Sequence, residues 1–251
     1  MTKELLDSTQ YATDSILKYE QVYGKDFVAP GGKGMARELI GKLNLEHGSR
    51  VLDAGCGLGG SAFTMAGEFG LLVDGIDLST NMITIAQRKL EQYGLSDRVT
   101  ITHADCMEMN KTDEYQAVYS RDVFLHINDK PSLFKILSQS LKSDGKLLFT
   151  DYCCGEKPWQ AEFSDYVVQR RYSLHTIDSY ADLIRKAGFI DVEASDMSER
   201  FIEILASEIA RINLSEIEQH VKDSLTVDWQ DKIRRTEQGD HRWGLFMASK
   251  S

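Results

Sequence analysis

An acid and three glycines at alternating positions, Asp53-x-Gly55-x-Gly57-x-Gly59, with Gly60 directly after, are the residues best placed for chemistry. The apolar pair Val51-Leu52 precedes them and a helix-like segment, 61–69, follows. This reads as a strand, a tight turn and a helix start. Glycines there let the backbone approach a ligand that a Cβ would keep away. Gly55, Gly57 and Gly60 also fit the G-x-G-x-x-G nucleotide pattern, a weak signal when it stands alone. Asp77 ends the next apolar run, 71–77, and lies 24 positions after Asp53. An acid at the end of a second strand can accept both hydroxyls of a ribose. Asp105 follows a third run, 98–103, and Asp122 follows a fourth, 115–120, with His126 four residues on. Asp151 closes a fifth run, 146–151. Acids gathered at the carboxyl ends of successive strands stand where open α/β sheets bind ligands.

The elements that must hold these acids alternate. Helical patterns at 35–43, at 61–69, from Thr80 through Leu90 and at 131–141 precede or separate most of these runs, the third capped by Thr80 and the fourth opened by Pro131. That alternation predicts a doubly wound, mostly parallel sheet. Further on, 158–171 reads as a helix, Thr176 caps a helix to 187, and 190–194 is a sixth strand. Residues 197–225 read as two helices, the second starting at the capping-box pattern Ser215-Glu216-Ile217-Glu218. A seventh strand, 243–249, closes the chain. The expectation is one domain over 1–251. N-terminal helices at about 5–43 and a helical insert at about 195–240 would form a lid. On the predicted helix 158–171, Tyr166 and Arg170 are four apart and share one face.

Composition narrows the partners. The chain of 251 residues carries a formal charge of −10, which disfavours nonspecific binding to nucleic acid or anionic membrane. A small phosphorylated ligand needs only a local basic pocket. No apolar stretch approaches the roughly 18 residues that span a bilayer, and the start has no apolar signal region. The four cysteines, Cys56, Cys106, Cys153 and Cys154, form no C-x-x-C pair, so reduced thiols and a cytoplasmic location are the default. No metal-ligand cluster is visible, and a monomer is the default expectation.

The acid–glycine stretch resembles the first motif of class I methyltransferases, which bind S-adenosylmethionine. More specific segments accompany it in order: Gln10-Tyr11, Gly31-Gly32, Ser120-Arg121-Asp122 with His126, Thr150-Asp151-Tyr152-Cys153, Gln169-Arg170-Arg171-Tyr172 and Arg242-Trp243-Gly244. Together these resemble the phosphoethanolamine N-methyltransferase family, from about Gln10 to Lys250. The resemblance implies a Rossmann-like, seven-stranded fold. It implies methyl transfer from S-adenosylmethionine to the amine of phosphoethanolamine and/or its mono- and dimethyl derivatives, leaving S-adenosylhomocysteine and leading to phosphocholine for phosphatidylcholine synthesis.

Such an amine must be neutral to attack. With a lysine-like pKa of about 10.4, deprotonation at pH 7 costs roughly 4.6 kcal/mol, so the site needs a proton acceptor and alignment. The resemblance places a Tyr11–His126 pair there to close the site and relay the proton, with Asp122 orienting the imidazole or holding the ammonium form. It assigns the phosphate to Tyr152, Tyr166, Arg170, Tyr172 and Lys232, donors suited to a dianion. For the cofactor it implies Asp53, with Gly55 and Gly57 beside the methionine portion, Asp77 on the ribose, and Leu78, Asp105 and Cys106 at the adenine. Tyr19, Val28 and Arg121 complete that pocket. Single-domain members of the family carry a serine where this chain has Ala29, so a hydroxyl contact at that position is missing.

Other readings account for less. A methyltransferase for a sterol, quinone or hydroxyl acceptor would explain the cofactor half and leave Arg170 and Lys232 without a task. A nicotinamide oxidoreductase shares the glycines but not Asp53 ahead of them. A cofactor-binding regulatory subunit gives no reason for Tyr11, Asp122 and His126 to occur together.

Overall fold

The computed structural model describes residues 13–251, so Tyr11 and the helix start expected before Thr13 lie outside the described residues. Seven strands form one sheet in the order β3-β2-β1-β4-β5-β7-β6. They are β1 (Arg50–Ala54), β2 (Leu72–Asp77), β3 (Val99–His103), β4 (Tyr115–Arg121), β5 (Leu141–Cys154), β6 (Phe189–Asp196) and β7 (His241–Lys250). The first five are parallel, and β7 runs antiparallel to both β5 and β6. The expected doubly wound, mostly parallel architecture is therefore present.

Strand periodicity separates the two faces of the sheet. Val51, Tyr119 and Leu148 join one core, while their neighbours Leu52, Val118 and Leu147 join the other. The first face is covered by α1 (Thr13–Tyr23), α2 (Gly32–Leu43), α3 (Gly60–Phe69) and α4 (Thr80–Tyr93). Two long helices of the insert, α8 (Ser198–Leu214) and α9 (Gln219–Glu237), add Phe201, Leu205, Leu225 and Trp229 to the same core. The second face is covered by α5 (Lys130–Ser140) and α7 (Ile177–Lys186), with α6 (Ala161–Arg170) preceding α7 in the chain. Because β1 lies between β2 and β4, the strand order reverses at its carboxyl end, where ligand crevices open in such sheets.

Several boundaries differ from expectation, each for a local reason. Ser79, not Thr80, caps α4, its side chain accepting the Met82 N–H at 3.2 Å. The helix expected from residue 158 starts at Ala161, because the Asp240 carboxylate accepts the Gln160 N–H at 2.9 Å and ties down the approach. Ser215 does not open a helix. Its hydroxyl donates to the Ile212 carbonyl at 2.7 Å and closes α8. The next helix begins at Gln219 and runs to Glu237, well past residue 225. Asp151 is not at a strand end. It lies inside the long β5, fully buried, accepting from the Tyr180 hydroxyl at 2.7 Å, and it lines neither cavity described below.

Candidate active site

The larger of two adjoining cavities among the described residues, about 370 Å³, opens at the carboxyl ends of β1, β2 and β4. Nine residues expected at a cofactor line it: Val28, Asp53, Gly55, Gly57, Asp77, Leu78, Asp105, Cys106 and Arg121. Gly55 holds φ +80, and a Cβ there would run into the Val123 side chain, so packing within the protein itself already requires glycine. The Gly57 N–H donates to Asp77 Oδ2 at 2.9 Å, and the Ser79 N–H donates to Asp77 Oδ1 at 2.8 Å. The glycine loop thereby fixes the carboxylate that faces the cavity. Asp105 uses Oδ1 to accept the Met107 N–H at 2.8 Å, capping the short turn that carries Cys106.

Charge in this cavity is one-sided. Asp26, Asp53, Asp77, Asp105, Asp122 and Asp129 line it, against Arg121. Asp53 is buried, and its Oδ2 has no hydrogen-bond partner among the described residues. Burial, followed by the neighbouring Asp77 charge, pushes its carboxyl up to about 7, with Arg121 pulling the other way. Arg121 is itself engaged. Its guanidinium donates to the Gly32 carbonyl at 3.1 Å and to the Pro30 carbonyl, fastening the loop between α1 and α2 to the end of β4.

The smaller cavity, about 70 Å³, adjoins the first and shares Val28, Asp122 and His126 with it. All five residues expected at a phosphate, Tyr152, Tyr166, Arg170, Tyr172 and Lys232, line it. Four of them come from the consecutive β5, α6 and α6–α7 connection, and Lys232 joins them from α9, far along the chain. Tyr19, expected at the cofactor, lines this cavity and not the larger one. The position of α1 explains the difference: it lays Tyr19 and Tyr23 against the Trp229 ring, 6.3 and 5.4 Å between centroids. The Lys232 ammonium sits 4.2 Å from the centre of that same ring. Burial and the nearby Arg170 and Arg235 charges lower Lys232 to about 8, while Glu208 and Asp228 act against them. The Arg170 guanidinium lies over Tyr166 at 5.9 Å. Arg171, by contrast, is exposed at the helix end.

His126 and Asp122 stand where the cavities meet. His126 ends a short turn, Phe124–His126, and its ring meets Tyr172 edge-on at 5.3 Å. Burial, with Lys130 and Arg170 adding repulsion, lowers it to about 4 and keeps the imidazole neutral at pH 7. Asp122 holds a left-handed backbone, φ +56. Its Oδ1 accepts the Trp243 indole N–H at 2.7 Å, and its Oδ2 has no partner among the described residues. Tyr11 cannot be placed, because it lies outside the described residues.

Sequence reasoning passed over several supports. Lys130 is fully buried, and its ammonium donates to the carbonyls of Phe124, Ile127 and Ser173 at 2.8, 2.6 and 3.0 Å. It thus ties the His126 turn to the strand of chain after Tyr172. Arg235 packs at 4.1 Å over Tyr166 and pairs with Glu162. Trp229 is equally unmarked, whereas Tyr23, expected from its helical spacing as a packing residue, is buried against it. A signal was available for the insert: Val221, Leu225 and Trp229 continue an i, i+4 apolar row that carries α9 through Lys232. Among the described residues, no helix is long and apolar enough to cross a membrane, and no group of side chains is arranged to hold a metal ion.

Residues 33–238 match the family model described as mycolic acid cyclopropane synthetase. Phosphoethanolamine N-methyltransferase 1 of Arabidopsis thaliana is 40% identical over 256 residues, covering 99% of this chain and 52% of its own length. The phosphoethanolamine N-methyltransferase of Plasmodium falciparum is 30% identical over 260 residues, covering 99% of this chain and 96% of its own. This chain therefore spans about half the length of the plant relatives it matches and nearly all of the Plasmodium one. Among solved structures, phosphoethanolamine N-methyltransferase 2 of Haemonchus contortus, in complex with phosphomonomethylethanolamine and S-adenosylhomocysteine, superposes with a TM-score of 0.95 at 36% identity. That match covers 99% of this chain and 59% of the nematode one.

Proposed function

The chain belongs to the family of that model and to the phosphoethanolamine N-methyltransferases, and on that premise we propose that it methylates the amine of phosphoethanolamine and its methylated derivatives, using S-adenosylmethionine. One observation carries the reading: an acidic, glycine-lipped cavity and a tyrosine-, arginine- and lysine-lined cavity meet at Asp122 and His126. The Haemonchus relative was solved with S-adenosylhomocysteine and a phosphobase together, the pair of ligands that two such cavities would take.

The larger cavity fits the cofactor by charge and shape. The partnerless Asp53 oxygen and the surrounding carboxylates suit a ligand carrying positive charge. Gly55 and Gly57 would lie along its methionine portion, Asp77 would accept the ribose hydroxyls, and Leu78, Asp105 and the Cys106 backbone would take the adenine. Val28 and Arg121 would close the pocket. When bound, S-adenosylmethionine supplies an electrophilic methyl group on a sulfonium.

The chain's own residues then have separate tasks. Arg170 and Lys232 would hold the phosphate with charge, and the hydroxyls of Tyr152, Tyr166 and Tyr172 would donate to its oxygens. Asp122, already fixed by Trp243, would take the ammonium through its other oxygen. His126, kept neutral, would accept the proton the amine must lose. A phosphate dianion against Arg170 would cancel part of the repulsion that depresses His126, so binding would strengthen the base it needs. Tyr11 would complete the proton relay. With its ring among the smaller cavity's lining, Tyr19 belongs in this reading with the phosphobase half. The chain would act as one domain over 1–251, with α1, α2 and the insert as its lid.

The reading is tested by methyl transfer from labelled S-adenosylmethionine to phosphoethanolamine, its monomethyl and dimethyl forms, and free ethanolamine. Transfer to phosphobases and not to ethanolamine is the expected result. Equal transfer to ethanolamine would remove the phosphate role of Arg170 and Lys232. No transfer to any of them, with cofactor bound, would remove the acceptor assignment.

A further inference from the structure

Glu208, on α8, lines neither cavity, yet one carboxylate reaches both halves of the site. It is fully buried. Its Oε1 accepts the Gly31 N–H at 2.8 Å, and its Oε2 accepts the Trp229 indole N–H at 2.7 Å. Gly31 belongs to the loop whose neighbours Val28 and Ala29 line the larger cavity, and whose Val28 and Pro30 line the smaller. Arg121 grips the same loop from β4 through the carbonyls on either side of Gly31. Gly32, at φ +48, could not carry a side chain without striking the Tyr23 carbonyl, so the loop lies directly on α1. Trp229 is the platform under Tyr23 and the Lys232 ammonium.

We infer that Glu208 is a positioning residue that couples the two halves, so that filling the cofactor cavity strengthens phosphobase binding and the reverse. The inference rests on the reading of the cavities given above. Its chemistry is specific. Both hydrogen-bond partners of Glu208 are N–H donors, so both carboxylate oxygens must accept, and the Arg211 guanidinium, half-exposed, pairs with the same Oε1 at 3.6 Å. Glutamine has nearly the same shape but only one accepting oxygen, and its amide N–H groups would face a donor at the other position. Glu208→Gln must therefore release either the Gly31 loop or the Trp229 platform, and either release uncouples the halves.

Calorimetry on the full chain tests this. S-adenosylhomocysteine is titrated with and without saturating phosphoethanolamine, and phosphoethanolamine with and without S-adenosylhomocysteine. In the native chain each ligand should tighten the other by about 5- to 150-fold, the usual range of coupling between sites, and by the same factor in both directions. In Glu208→Gln that factor should fall to about twofold or less, while both ligands still bind. An unchanged factor, or a native chain that binds both ligands without coupling, overturns the inference alone. A native chain that fails to bind one of them overturns the reading of the cavities and the inference with it. Should the variant not fold, hydrogen exchange in the native chain decides. S-adenosylhomocysteine alone should slow exchange of the Trp229 indole N–H, and unchanged exchange overturns the coupling.

Discussion

The larger cavity is walled by strand ends, main-chain turns and carboxylates. The smaller is walled by side chains brought in from seven separate elements and connections, with two cations and a group of tyrosines. One is built by the backbone of the sheet, the other by what the lid and the later helices lay over it. The first crowds carboxyl groups together, so that burial and the Asp77 charge push Asp53 up to about 7. The second holds a lysine lowered by burial and by its arginine neighbours. Each half is strained by its own like charges, and each strain would be relieved by a ligand of the opposite sign. The contrast explains how one fold could orient a molecule that is anionic at one end and cationic at the other: Asp122 and His126 sit at the seam between the two fields.

Mutations at the seam should have the largest effects. His126→Ala should reduce turnover by about 10²- to 10⁴-fold, the range for removing a general base, and leave S-adenosylhomocysteine affinity nearly unchanged. Unaltered turnover in a steady-state assay would take His126 out of the mechanism. Within the acidic half, burial puts the folded pKa of Asp53 above its ordinary value. Stability linked to this carboxyl is thus present at low pH and lost as pH rises from about 4 through about 7. Asp53→Asn should stabilise the ligand-free chain by up to about 4 kcal/mol at pH 8 and have little effect near pH 4. Thermal melts at the two values check this, and an equal effect at both would contradict it. Asp77→Ala should cost about 100-fold or more in S-adenosylhomocysteine affinity, since two charge-assisted hydrogen bonds are lost; near-normal calorimetric affinity would remove the ribose role. Lys232→Ala should raise the phosphoethanolamine KM by roughly 10- to 30-fold, one charged contact's worth, and spare the cofactor. A matching loss of cofactor affinity would blur the division between the halves.

The same contrast governs what the sequence made legible. Asp53, Gly55, Gly57 and Asp77 act through local geometry, and a strand followed by a turn fixes where they point, so spacing alone located the larger cavity. Tyr152, Tyr172 and Lys232 are joined only by the tertiary fold, and resemblance, not spacing, named them. Tyr166 and Arg170 stand between these cases, because one helix turn sets them side by side. Tyr19 lines the smaller cavity because its place depends on how α1 meets Trp229, a contact between residues more than two hundred positions apart. Asp151 was misjudged for a different reason. A strand continuing to Cys154 buries it, and the runs of apolar residues did not mark that extension. Lys130 and Glu208 look like surface charges in a sequence. Their burial is possible only because carbonyls in one case and N–H donors in the other are waiting for them.

A crystal structure of this chain with S-adenosylhomocysteine and phosphoethanolamine bound together tests the division most directly. The phosphate should lie against Arg170 and Lys232, and the substrate nitrogen should come within hydrogen-bond reach of Asp122 or His126. A phosphate seated among the strand-end carboxylates, or a nitrogen turned toward Arg170 and Lys232, would contradict the account.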